Sequence, residues 1–149
     1  MGHTLTNPLL LYSALILGTL VALAWALSRG QGSSSSRKWL ALSASPGLLA
    51  LLTVFSLALH LHSSLGDWPG NIGTEGFTQA LLTHYNIAAW LFTAAILLAI
   101  GMPLVILVCA LAPRLRAHMI YPSLCGVACW LCLFLTTLAP SGFLDWWWD

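Results

Sequence analysis

Four long apolar stretches alternate with short polar segments along the chain, and each is long enough to predict a helix across a lipid bilayer. The first predicted helix runs from about Pro8 to Leu27. Asn7 is its expected N-cap, and Pro8 suits the first helical position because its missing N–H would lack a partner there anyway. The second runs from about Trp39 to Leu61, with Pro46-Gly47 inside it. Proline there cannot donate to the carbonyl of Leu42, so a kink is expected near the helix start. The third runs from about Asn86 to Leu111 and carries Gly101 and Pro103; the fourth runs from about Met119 to Ala139 and stops at Pro140-Ser-Gly. The fold class expected is an all-α, four-helix antiparallel transmembrane bundle, one domain over residues 1–149.

The segments between the helices differ in kind. Residues 28–38 hold Gly-Gln-Gly and four serines and read as a flexible linker. Residues 63–85 start with the turn-rich run Ser-Ser-Leu-Gly-Asp-Trp-Pro-Gly. Thr74 is an expected cap there, with Phe77, Leu81, His84 and Tyr85 on one helical face. That pattern fits either a short helix at the interface or an extension of the third helix. Residues 140–149 form a Trp-rich tail containing Trp146, Trp147 and Trp148.

Composition makes lipid the expected solvent. Of 149 residues 59% are apolar and only 6% charged, with a mean hydropathy of +0.88. Soluble domains carry roughly 25% charged residues. Five basic side chains are too few for a nucleic-acid surface. Met1 to Asn7 has no basic side chain and no Ala-x-Ala-like site follows, so the first helix is expected to stay in the mature protein.

The charges are sorted by sign. Arg29, Arg37 and Lys38 lie in one connection, and Arg114 and Arg116 in another. Asp67 and Glu75 lie between those two connections, and Asp145 and Asp149 at the C-terminus. Cytoplasmic loops carry the excess of Lys and Arg, so both termini are expected outside, on the periplasmic side of a bacterial inner membrane. Aromatic residues agree: Trp25, Trp39 and Tyr121 mark one boundary, and Tyr12, Trp68, Tyr85, Trp90 and the terminal tryptophans the other.

Candidate chemistry is sparse. No Asp, Glu, Lys or Arg lies inside an apolar stretch, which argues against a pump or a carrier for charged solutes. His60, His62 and His84 fall at similar depth near the outer end and are the candidate ligands for a haem b, a quinol or a metal. Residues i and i+2 on a helix point about 200° apart, so His60 and His62 cannot face one ion on a continuous helix. Cys125, Cys129 and Cys132 share one helical face, and Cys129-Trp-Leu-Cys132 spells C-x-x-C. Every outer loop lacks Cys, so helix packing is the expected role. Ala14, Gly18 and Ala22 recur every four residues and form an expected packing stripe on the first helix.

The run Phe-Leu-Asp-Trp-Trp-Trp-Asp resembles, over four or five residues, the Trp-rich haem-handling segments of cytochrome c maturation proteins; those are longer, contain glycines and lie between helices. The resemblance implies a haem- or metal-handling assembly factor. The reading expected first is a non-catalytic accessory subunit of a respiratory or photosynthetic membrane complex, with other integral-membrane subunits and lipid as partners and no nucleic acid. A haem b- or quinol-binding redox subunit is the alternative.

Overall fold

The computed structural model describes residues 8–31, 37–69 and 74–148. The expected Asn7 cap and the serines of the linker lie outside these residues. All regular structure in the described residues is helical. The elements are α1 (Pro8–Ser28), α2 (Arg37–Leu65), α3 (Gln79–Leu111), a 3-10 turn (Arg116–His118), α4 (Ile120–Thr136) and α5 (Ser141–Trp148). Three segments are long and apolar enough to cross a membrane: Arg37–Leu65, Gln79–Leu111 and Arg116–Thr136. The apolar helix α1 is shorter in its Tyr12–Ser28 part. The architecture is that of a helical membrane bundle.

Helices α2, α3 and α4 pack on one another, and α1 lies against α4 and α3. The buried seam of the three-helix core is built from small side chains: Ala50 and Ala58 on α2, Ala88, Ala95 and Ala99 on α3, and Cys125, Cys129 and Cys132 on α4. Lipid tails are as apolar as leucine, so helices there associate through close packing rather than through exclusion of water. Gly47 marks the tightest crossing. A Cβ at Gly47 would run into the backbone of Ala128 and stand 2.7 Å from the Cys129 nitrogen.

The packing stripe expected on α1 is displaced. Ala14 and Gly18 are exposed, and a Cβ at Gly18 has no neighbour within 4 Å. Only Ala22 of the expected set is buried; the inward face of α1 is Thr19, Ala22 and Ala26. The reason lies on the opposing helix. Gly126 of α4 leaves room for the Thr19 side chain, and a Cβ there would stand 2.9 Å from Thr19 Cγ2.

Several hydroxyls in the spans find partners close by, whereas Ser123 Oγ and Trp130 Nε1 on α4 are buried without one among the described residues. The Leu42 carbonyl, which Pro46 cannot reach with an N–H, accepts the Ser45 hydroxyl at 2.8 Å. Thr19 and Thr136 donate to carbonyls four residues back, Leu15 and Cys132. In a medium without water these local bonds are the available way to satisfy a hydroxyl.

Helix ends differ from the expected ones at one point that matters. α3 starts at Gln79, roughly two turns earlier than the apolar pattern alone indicates, and Thr78 rather than Thr74 caps it; its Oγ1 accepts from Leu81 N at 3.3 Å. Residues 79–85 are therefore an extension of α3, while residues 74–78 form a turn before it. Gly66, at φ 74°, ends α2, donating its N–H to the His62 carbonyl.

The two ends of the bundle carry opposite charge. Gln31, after α1, donates through Nε2 to the Arg116 carbonyl at 2.8 Å and accepts from Ile120 N at 3.1 Å. Both basic connections thus sit side by side. At the far end Trp68, beside Asp67, packs on Phe143 of α5, the helix that carries Asp145.

A Gly47→Leu substitution is expected to lower the thermal midpoint in mild detergent by an amount equivalent to roughly 1–3 kcal/mol, the usual cost of overpacking a tight core. Gly18→Leu is expected to move it by less than about 0.5 kcal/mol. Parallel melts of the two variants check the assignment of the packing face.

Candidate functional site

Ser56 and His60 stand one turn apart on α2, on the same face. The early start of α3 carries His84 to the same level. The three side chains join. Ser56 Oγ lies 3.0 Å from His84 Nε2, and His84 Nδ1 lies 3.0 Å from His60 Nδ1. The two imidazoles meet with centroids 5.3 Å apart and planes tilted by 36°.

The direction of this chain follows from where Ser56 places its one hydrogen. The Ser56 hydroxyl lies 3.0 Å from the Thr53 carbonyl and 3.0 Å from His84 Nε2. Given to the Thr53 carbonyl, that hydrogen makes His84 the donor to Ser56 and leaves His60 Nε2 an acceptor. Given to His84, it makes His84 the donor to His60 and leaves His60 Nε2–H a donor. The chain Thr53 carbonyl, Ser56, His84, His60 ends at His60 Nε2, which has no partner among the described residues. A bare Nε2 accepts a hydrogen bond or ligates a metal, and a protonated one donates.

His62 does not join. Two residues beyond His60, it points elsewhere and stacks on Trp68, 4.8 Å between centroids and 31° between planes. His118 lies at the basic end against Tyr121. Of the three candidate ligands, two are brought together and one is turned away. Axial ligation of a haem by His60 and His84 would put a porphyrin between their coordinating nitrogens; here the two Nδ1 atoms face each other at hydrogen-bond distance. No group of three or more His, Cys, Asp or Glu that could hold a metal ion occurs among the described residues.

Next to this seam lies an aromatic cap. In α5 Phe143, Trp146 and Trp147 fall at i, i+3 and i+4, and the helix folds back on the bundle end. Trp146 is buried against Phe77 and Tyr85 at 5.6 Å each. Trp147 stacks on Phe143 (5.7 Å, 19°) and meets Phe92 edge-on at 5.6 Å. Trp148 stays exposed, one edge on Phe92. Trp68 lies over Gly142, where a Cβ would come within 2.6 Å of its ring. Most of the Trp-rich tail packs within the chain, because the helical spacing gives it an inward aromatic face. Trp148 is the tryptophan of the run left to meet lipid or a partner.

Cys125, Cys129 and Cys132 are buried in the helix core, as free thiols. Cys129 and Cys132 are almost wholly inaccessible, at 0% and 1% exposure, which keeps them from soluble thiols.

The sequence pattern named His60 and His84 but missed Ser56 and Thr53, which orient them. The signal was available: a Ser four residues before a His on one helix face. Comparison with known proteins finds no matching family model, no matching curated protein and no matching solved structure.

Trp146→Ala is expected to destabilise the chain by on the order of 3 kcal/mol, since a buried aromatic plug is lost. Trp148→Ala is expected to cost less than about 1 kcal/mol. Thermal melts monitored by intrinsic fluorescence compare the two.

Proposed function

We propose that this chain is a non-catalytic integral-membrane subunit of a larger membrane assembly. It inserts as four spans, with both termini outside and the basic connections in the cytoplasm, in a bacterial inner membrane. The placement of Arg29 and Arg116 at one end and Asp67 and Asp145 at the other supports that orientation. The 21 residues of α1 reach about 31 Å at 1.5 Å per residue, enough for a bilayer core.

The open end of the Ser56–His84–His60 chain carries the proposal. Ser56 is exposed and both histidines are partly exposed, between the exposed apolar residues Leu52, Leu59 and Ile87. His60 lies roughly 33 Å along α2 from Lys38, at the outer edge of a bilayer core of about 30 Å. The exposed leucines and isoleucine around it offer His60 Nε2 no hydrogen bond. A neighbouring subunit with a hydrogen-bonding group at that level satisfies it. The internal chemistry is used in packing: the thiols at helix crossings, the tryptophans in the cap.

A membrane-soluble quinol is the second reading, favoured by the same open nitrogen in its bare form. Its hydroxyl would donate to His60 Nε2, and the assembly would then belong to electron transfer in respiration or photosynthesis. Haem ligation by this pair is the weaker form of that reading, because each ring uses its Nδ1 on the other.

Native purification in mild detergent, with subunit identification and an absorption spectrum, tests the proposal. Other membrane subunits are expected in fixed ratio, and His60→Phe is expected to reduce their recovery several-fold while the chain still inserts. A lone chain of normal yield would overturn the subunit reading. A haem signal that stays with this chain and vanishes in His84→Ala would replace it with a cytochrome. Reporter fusions are expected to place residues 32–36 in the cytoplasm and both termini outside; a cytoplasmic N-terminus would remove α1 from the spans.

A further inference from the structure

An apolar groove of about 490 Å³ runs between α1 and α3 at the basic end of the bundle. Its floor on α1 is the exposed Ala14 and Gly18 and the edge of the buried Ala22; Pro103 and Ile106 supply the α3 side. Val21 and Leu107 on its rim are exposed, so the groove opens sideways, where lipid lies. From Ala14 to Trp25 it covers about 16 Å of helix, close to the depth of one leaflet, about half of a 30 Å core.

The groove ends at positive charge. Arg116 lines it, held by a 2.8 Å bond from Nε to the Ala110 carbonyl; its terminal amino groups have no partner among the described residues. The Arg29 guanidinium lies 5.2 Å from the ring centroid of Trp25, which also lines the groove. Among the described residues no carboxylate lies at this end: Asp67 and Glu75 are in the far connection, and Asp145 is on α5. Arginine pairs with phosphate through several N–H donors at once.

We infer that this groove binds one anionic glycerophospholipid from the leaflet at the basic face, an acyl chain along Gly18 and its phosphate at Arg116 and Arg29. A transmembrane helix of a partner is the other conceivable occupant. Such a helix spans about 30 Å, whereas the groove covers half that depth and stops at a cation, which suits an acyl chain with its headgroup. The inference takes the chain as membrane-inserted with its basic end at a headgroup surface. It does not depend on which assembly the chain joins.

Native mass spectrometry of the full chain, released from nanodiscs of mixed phosphatidylglycerol and phosphatidylcholine, tests it. One phosphatidylglycerol is expected to remain bound, with at least a tenfold preference over phosphatidylcholine. Gly18→Phe puts a ring into the groove from a position where a Cβ has no neighbour within 4 Å, so it is expected to reduce retention about tenfold at an unchanged thermal midpoint. Arg116→Gln is expected to abolish the headgroup preference while retaining lipid of either kind. Equal retention of both lipids by the unaltered chain would overturn the inference, as would full phosphatidylglycerol retention in Gly18→Phe. Release of a co-purifying subunit by Gly18→Phe, with lipid retention unchanged, would also overturn it and assign the groove to a partner helix.

Discussion

The approach of α2 to α4 at Gly47 sets the spacing of the bundle. With no side chain there, the backbone of Ala128 and Cys129 comes close enough for the small residues on either side to pack together. In lipid no hydrophobic force draws helices together, so contact at this range is the main attraction available, added up over many weak atom pairs. The same logic places Cys129 and Cys132 at the crossing. A thiol is small, polarizable and apolar enough to sit there, and burial denies it the access that redox exchange requires.

Satisfying polar groups without water is the second constraint, and it shapes the candidate site. Thr19, Ser45 and Thr136 each return their hydroxyl to a nearby carbonyl. Ser56 reaches back to Thr53 in the same way and also meets His84, so a polar chain crosses to α3. It runs on to His60, whose Nε2 is left without a partner among the described residues. That open valence stands beside the exposed Leu52, Leu59 and Ile87.

The two ends of the bundle solve different problems. At the acidic end α5 folds an aromatic layer over the helix tips, with Trp68 fitted over Gly142 and Trp146 between Phe77 and Tyr85. Buried tryptophan adds large area and edge-to-face contacts where helices fray. At the basic end Gln31 ties the two basic connections together and holds Arg116 beside an open groove. One end is closed by the chain itself; the other is left open between α1 and α3.

The helices, the sorting of charge and the apolar character of the spans were written in local sequence, because length, hydropathy and sign of charge decide how a segment meets a bilayer. His60 and His84 were visible as residues at similar depth, and the helical spacing of Phe143, Trp146 and Trp147 was there to be read. Only the tertiary structure decided which small residues touch. Ala14, Gly18 and Ala22 and the glycines at 47 and 126 look alike in sequence; the difference is what stands opposite, and that depends on how the helices rotate about their axes. It likewise decided that His84 meets His60 while His62 turns to Trp68, since the start of α3 at Gln79 sets the height of one ring against the others. Periodicity tells which residues share a face; the neighbour that face meets is set by packing between segments far apart in the chain.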